Sequence, residues 1–147
     1  MSLLKKRYLI ATGLYCVMIF YLSSQPDPPR PSFSFPGIDK LAHGALYAGL
    51  AALLLIGIRR SNKGVSFRVQ FYVPTLFTVL YGLMNECYQR FVPYRDFELA
   101  DLAANALGAL AVQCVLFLLV WRFKRAQTRP RRPFSQRPRG TFSRRRR

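Results

Sequence analysis

Three short polar motifs in this chain carry side chains that can hold or transfer a proton. They are Asp39, Lys40 and His43; Glu86 and Gln89; and Asp101 and Asn105. Asp39 and His43 are four positions apart, as are Asp101 and Asn105, and Glu86 and Gln89 are three apart, so each pair lies on one face of a helix. His43 is the single histidine, and an imidazole beside a carboxylate is a common general base near neutral pH.

The polar motifs lie at the ends of four apolar segments, residues 8–25, 41–58, 69–85 and 102–121. A helix needs about 20 mainly apolar residues to cross a bilayer, within a usual range of about 17–25. Backbone groups inside hydrocarbon must bond to one another, so each segment is predicted to be a helix. The predicted fold class is therefore all-α, a four-helix transmembrane bundle.

The basic residues are separated from the acidic ones along the chain, which has a formal charge of +17. Most Lys and Arg fall in three segments, residues 5–7, 59–68 and 122–147. Such residues collect in short cytoplasmic segments, and these three alternate around the helices. Both termini are therefore predicted to be cytoplasmic, and the acidic residues lie at or near the opposite, extracytoplasmic end.

Residues 1–125 are predicted to form the membrane domain, and residues 126–147 a cytoplasmic Arg- and Pro-rich tail without stable structure. We expect the basic tail to fix the orientation of the protein in the membrane and to contact anionic lipid headgroups. Nothing in it resembles a base-reading module, so we expect no specific nucleic-acid partner. The proline-rich loop after the first helix is expected to be extended. The three cysteines do not form a disulfide pattern.

Ionisable side chains within membrane segments are costly and normally face the bundle interior or water. His43, Glu86, Asp101 and Asn105 are therefore expected to meet between the second, third and fourth helices. Small residues on these helices favour close approach: Gly44, Ala48, Gly82, Ala104, Gly108 and Ala111.

Taken in order, the motifs resemble those of the VanZ-like family of small bacterial membrane proteins. The elements are Asp39-Lys40-x-x-His43, Tyr81-Gly82-x-x-x-Glu86-x-x-Gln89-x-x-x-Pro93-x-Arg95 and Asp101-x-x-x-Asn105-x-x-Gly108, with Ser23-Ser24-Gln25-Pro26 similar to the motif after the first helix. The similarity covers residues 9–121. It implies a multi-pass protein of the bacterial plasma membrane with a role at the cell envelope, in a family named after a teicoplanin-resistance protein. It implies no particular reaction.

Together these features predict a polar extracytoplasmic site that binds an amphiphilic ligand. The ligand classes are an envelope lipid, a lipid-linked wall precursor and a glycopeptide or lipid-tailed antibiotic. The candidate proton-handling residues are His43, Glu86 and Asp101. The candidate ligand-binding residues are Asp39, Lys40, Gln89, Arg95 and Asn105, among which Lys40 and Arg95 suit an anionic group.

Two other function classes stay open on the sequence alone. One is an enzyme that acts on a lipid headgroup through His43, oriented by Asp39 or Asp101, with Ser23 or Ser24 as a conceivable nucleophile. The other is a structural partner in an envelope complex, braced by the same residues. His43, Glu86 and Asp101 are acceptable metal ligands, but no motif such as HExxH supports a metal, so neither metal nor cofactor is predicted. The oligomeric state is left open.

Overall fold

The computed structural model describes residues 3–26, 36–61 and 64–127 of the chain. In these ranges the protein is all-helical, with α1 at Leu3–Ser23, α2 at Ile38–Ser61, α3 at Phe67–Gln89 and α4 at Leu99–Gln127. Each helix covers one predicted apolar segment, which confirms the all-α fold. α4 ends slightly beyond the predicted domain boundary at residue 125. Most of the proline-rich loop and the tail from residue 128 lie outside the described residues.

Local sequence explains where the helices begin. α2 follows Gly37, whose φ of 88° is in the left-handed region that favours glycine. α3 begins after Ser66, whose hydroxyl accepts a hydrogen bond from the Val69 amide at 3.4 Å. Asp39 and Asp101 lie in the first turns of α2 and α4, where a carboxylate is stabilised by the helix dipole.

α2 is the central helix of the described structure. It contacts each of the other three helices, and its longest interface is with α4. α1 packs mainly on α2 and touches α3 slightly, whereas no contact joins α1 to α4 in the part of the chain that the structure describes. The polar motifs of α2, α3 and α4 therefore belong to helices that pack directly on one another.

Two tyrosine hydroxyls attach α1 to this unit. Tyr15 donates to the backbone oxygen of Leu46 at 3.1 Å, and Tyr81 donates to that of Cys16 at 2.6 Å. Beside these bonds lies the apolar core, in which Ile19, Tyr47 and Leu50 are almost fully buried.

The surface of the helices carries many large apolar side chains, and the interior contains several polar ones. Large apolar side chains on the helices are exposed, among them Leu9, Leu14, Leu76, Leu80, Leu107 and Val115, whereas buried polar ones include Asn85, Glu86, Gln89, Asn105 and Gln113. Two helices, Ile38–Ser61 and Leu99–Phe123, are long and apolar enough to cross a membrane. Lys5 to Arg7 in α1, and Arg68 and Glu86 in α3, lower the mean hydropathy of those helices.

Candidate functional site

His43 stands at the centre of the polar cluster. Its Nδ1 lies 3.2 Å from Asn105 Oδ1 and 3.7 Å from Glu86 Oε1, and its Nε2 lies 3.5 Å from Asp101 Oδ2. The Tyr47 ring stacks beside the imidazole, with an interplanar angle of 5° and centroids 6.4 Å apart. Side chains of α2, α3 and α4 therefore meet at one histidine, as the sequence predicted.

Glu86 is the most deeply buried carboxylate of the cluster. Its side chain is 0% exposed. Oε2 accepts a long hydrogen bond, 3.5 Å, from the Glu98 amide, and Oε1 has no hydrogen-bond partner among the described residues. Burial of a carboxylate is costly without a proton or a positive charge close by, and the His43 ring, 3.7 Å from Oε1, is the side chain placed to supply either one.

Lys40 joins α2 to the start of α4. Its ammonium contacts its neighbour Asp39, Glu98 Oε2 at 2.6 Å and Asp101 Oδ1 at 2.9 Å. The predicted anion-binding role of Lys40 therefore competes with three carboxylates that already surround it. Asp39 contacts Lys40 and is exposed, so Asp101 is the carboxylate that faces the His43 ring.

Arg95 lies in the turn between α3 and α4 and is half-buried. Its Nε donates to the backbone oxygen of Gln25 at 3.3 Å, which joins this turn to the end of α1. No ion pair between Arg95 and an acidic residue occurs within the described ranges. The remaining N–H groups of the guanidinium make no protein hydrogen bond there, which leaves Arg95 suited to an anionic group.

Gln89 lies away from the histidine cluster and bonds to α1. Its Nε2 donates to Ser23 Oγ at 3.1 Å, and both side chains are buried. Ser24 Oγ donates to the Phe20 carbonyl oxygen at 2.7 Å, so it caps the end of α1. Neither serine hydroxyl is hydrogen-bonded to His43, and the structure does not assemble the Ser–His–Asp arrangement that the sequence left conceivable.

Two buried polar residues on α3 and α4 were not among the site residues predicted from the sequence. Gln113 and Thr78 are 0% exposed, and their side-chain polar atoms have no hydrogen-bond partner among the described residues. Gln113 follows Asn105 by eight positions and so lies on the same helix face. Extending that periodicity past Gly108 would have found it. Asn85 is also buried and donates to the Tyr47 hydroxyl at 3.1 Å.

Comparisons with protein-family models, with curated proteins and with solved structures find no significant match to this chain. The resemblance to the VanZ-like family therefore stays a prediction that rests on the ordered motifs.

The geometry limits what the cluster can do. Three carboxylates, Asp39, Glu98 and Asp101, contact the Lys40 ammonium, and a fourth, Glu86, lies beside His43, so the cluster is acidic overall whenever His43 is neutral. Such a site favours a hydroxyl, an amine or a cation over a phosphate. His43 can accept or release a proton between two carboxylates, and Asn105 fixes the orientation of its ring.

Proposed function

We propose that this chain is a VanZ-like integral membrane protein of the bacterial cell envelope. In this proposal all four helices span the plasma membrane, with both termini in the cytoplasm. The polar cluster around His43 lies at the extracytoplasmic end and binds the polar headgroup of an amphiphilic ligand. The candidate ligands are an envelope lipid, a lipid-linked wall precursor and a lipid-tailed antibiotic, the last of which would link the protein to antibiotic susceptibility.

The surface of the helices supports the membrane part of this proposal. Apolar side chains face outward along α1, α3 and α4, where they suit contact with lipid tails. Arg59 and Arg60 end α2, whereas Lys40 and Asp101 lie at the other end of the α2–α4 pair. Because short cytoplasmic segments carry the excess of Lys and Arg, the end with Arg59 and Arg60 is assigned to the cytoplasm.

The single observation that carries the ligand-binding proposal is that two buried polar atoms beside His43 lack hydrogen-bond partners among the described residues. Glu86 Oε1 and Asn105 Nδ2 are buried and have no hydrogen-bond partner among the described residues, although both side chains contact the imidazole. Buried polar atoms are almost always paired. A headgroup that offers both a donor and an acceptor would satisfy both atoms.

The charges indicate which part of the ligand binds where. The acidic cluster suits a hydroxyl or amine group, because a phosphate would meet the carboxylates of Asp101 and Glu86. An anionic part of the same headgroup would pair with Arg95, whose Nη groups have no partner among the described residues. Exposed apolar side chains next to the cluster, such as Leu41 and Leu99, would contact the lipid tails.

A structural brace is a second candidate, and the ion pairs of Lys40 favour it. Lys40 of α2 pairs with Glu98 in the connection between α3 and α4 and with Asp101 in α4. An enzyme is less well supported, since no serine hydroxyl or cysteine thiol within the described residues is bonded to His43.

Lipid that copurifies with the protein tests the proposal. The full chain, Glu86→Gln and Asp96→Asn would be purified in mild detergent, and bound lipid per chain measured by mass spectrometry. Asp96→Asn is the matched control, because it removes one negative charge from an exposed position in the connection between α3 and α4. We expect wild type and Asp96→Asn to retain the same lipid class. Glu86→Gln is expected to bind this lipid about tenfold more weakly, which is the effect of losing a hydrogen bond to a charged group.

Equal lipid content in Glu86→Gln and wild type would contradict the binding proposal. A loss of membrane abundance in Glu86→Gln, but not in Asp96→Asn, would support the brace instead. Chemically altered lipids in cells that overproduce the wild type, but not Glu86→Gln, would support the enzyme.

A further inference from the structure

We infer that His43, Glu86 and Asp101 form a binding site for a divalent transition-metal cation of the Zn²⁺ class. One ligand atom from each residue lies within 4.8 Å of the others. An imidazole and two carboxylates are common zinc ligands, and three protein ligands leave a fourth position open. This inference does not depend on headgroup binding, but it uses the same Glu86 oxygen, so a bound cation would take the place of the headgroup donor there.

The orientation of the His43 ring is the first argument. In the tautomer whose Nδ1–H donates to Asn105 Oδ1, 3.2 Å away, Nε2 presents a lone pair. Metal-binding histidines usually donate their other N–H to such an oxygen. Nε2 then lies 3.5 Å from Asp101 Oδ2, so two lone pairs face each other.

The spacing of these two atoms matches a pair of zinc ligands. Bonds of about 2.1 Å in a tetrahedral arrangement place two ligand atoms about 3.4 Å apart. The observed 3.5 Å between His43 Nε2 and Asp101 Oδ2 is close to that separation. A cation between them would replace the repulsion of the lone pairs by two bonds.

The unpaired oxygen of Glu86 is the second, independent argument. Its side chain is 0% exposed, and Oε1 has no hydrogen-bond partner among the described residues. Oε1 lies 3.7 Å from Nδ1, whereas Asp101 lies beside Nε2, so the Glu86 side chain must rotate to reach a cation on Nε2. No lysine or arginine of the described ranges pairs with it. A divalent cation would supply both the missing charge and the missing ligand for this oxygen.

A neighbouring acidic group shows the contrast. Asp39, Glu98 and Asp101 also bring three oxygens within 4.8 Å of one another, but the Lys40 ammonium contacts all three residues. That group already contains a cation of the protein itself. In the group of His43, Glu86 and Asp101, Lys40 contacts only Asp101, through Oδ1, and the other oxygen of Asp101 faces His43.

The donor set also indicates which metal would bind. Imidazole nitrogen suits zinc, copper, iron and nickel, whereas magnesium and calcium prefer oxygen ligands alone. We therefore expect Zn²⁺ to bind and Mg²⁺ not to compete at the same concentration.

Equilibrium dialysis of the full chain tests this site. The protein, without an affinity tag, would be purified in detergent, stripped with a chelator and titrated with ZnCl₂ or MgCl₂, and bound metal would be measured. We expect one Zn²⁺ per wild-type chain and a rise of its Tm with Zn²⁺ but not with Mg²⁺. His43→Gln and Glu86→Gln are each expected to weaken Zn²⁺ binding at least tenfold, since even the partners of metal ligands have effects of roughly 10–100-fold.

Two controls make the result specific. Glu98→Gln removes the same charge from the group around Lys40 and should leave Zn²⁺ affinity within about threefold of wild type. Cys87→Ser removes the thiol next to Glu86 and should retain full binding. If Glu86→Gln does not fold, His43→Gln alone decides the outcome.

Three results would overturn the inference. The first is that the wild type binds no Zn²⁺ saturably, which would mean that a doubly protonated His43 alone balances the two carboxylates. The second is that Glu98→Gln weakens Zn²⁺ binding as much as Glu86→Gln, which would mean that only the overall negative charge attracts the metal. Loss of binding in Cys87→Ser would place the metal on the thiol.

Discussion

Gly108 of α4 packs directly against the backbone of Gly44 in α2. A Cβ atom at position 108 would lie 2.9 Å from the Gly44 carbonyl carbon and closer still to its oxygen, so no side chain fits there. This contact sets the separation of the two helices that carry Lys40 and His43 on one side and Asp101 and Asn105 on the other. The position of the polar cluster therefore depends on Gly108, a residue that takes no part in its chemistry.

The first prediction concerns this glycine contact. Gly108→Ala is expected to destabilise the protein by about 1–3 kcal/mol, because the new methyl group meets backbone atoms that cannot move aside. Gly44→Ala should be tolerated, since its Cβ would make only an ordinary contact of 3.4 Å with Ala104 O. Gly13→Ala in α1 is the matched control, because nothing lies within 4 Å of its Cβ. Thermal denaturation in detergent measures all three, and equal Tm values for Gly108→Ala and Gly13→Ala would contradict the packing.

The second prediction concerns the bond between α1 and α3. Ser23→Ala leaves the buried Gln89 amide without its partner, which is expected to cost about 1–3 kcal/mol. Ser24→Ala is the matched control, because it removes an exposed hydroxyl that bonds only within its own helix, with an expected effect within about 0.5 kcal/mol. The same denaturation assay distinguishes them. A larger effect of Ser24→Ala would show that the end of α1 packs differently.

The third prediction concerns the ion pair of Lys40 and Asp101. Lys40→Met leaves the buried Asp101 carboxylate without its cation, and we expect a loss of about 1–3 kcal/mol, less than for a fully buried pair because Lys40 is partly exposed. Adding Asp101→Asn should restore most of that loss. Asp39→Asn alone should change stability by less than about 1 kcal/mol, since its carboxylate is exposed. Strictly additive effects in the double variant would argue that the pair does not interact.

The fourth prediction concerns backbone strain in the turn that leads to Glu98. Tyr94 has a φ of 63°, the left-handed region that glycine adopts without cost. Tyr94→Gly is expected to raise stability by up to about 1 kcal/mol, because it relieves this strain. Tyr94→Ala removes the same exposed ring but keeps a Cβ, so it should bring no such gain. Equal gains in both variants would attribute the effect to loss of the ring.

The sequence predicted the elements and the meeting of residues on different helices. Long apolar segments left no alternative to helices, and the cost of burying Glu86 or Asp101 alone required them to converge with His43. The helical spacing of Asp39 and His43 was also read correctly. The sequence did not show that Asp39 would contact Lys40, or that Asp101 would lie beside the imidazole of His43.

Partner choice escaped prediction because it depends on helix register. Lys40 contacts Glu98 and Asp101 in a helix pair whose separation is set by the packing of Gly108 on the Gly44 backbone. Gln89 carries the same amide whether it meets a ligand or Ser23, and only the placement of α1 decides between them. The metal inference likewise needed distances, since the three ligands come from three helices and form no local motif.

Labelling that reports the proposed orientation of the four helices across a membrane tests the central claim most directly. In a background with Cys16, Cys87 and Cys114 replaced by serine, Tyr94→Cys would report on the turn beside the polar cluster, and Ser61→Cys on the opposite end. With a membrane-impermeant maleimide on intact cells, we expect Tyr94→Cys to be labelled and Ser61→Cys to react only after the membrane is permeabilised. Labelling of Ser61→Cys in intact cells, with Tyr94→Cys protected, would put the cluster on the cytoplasmic side and contradict an extracytoplasmic binding site.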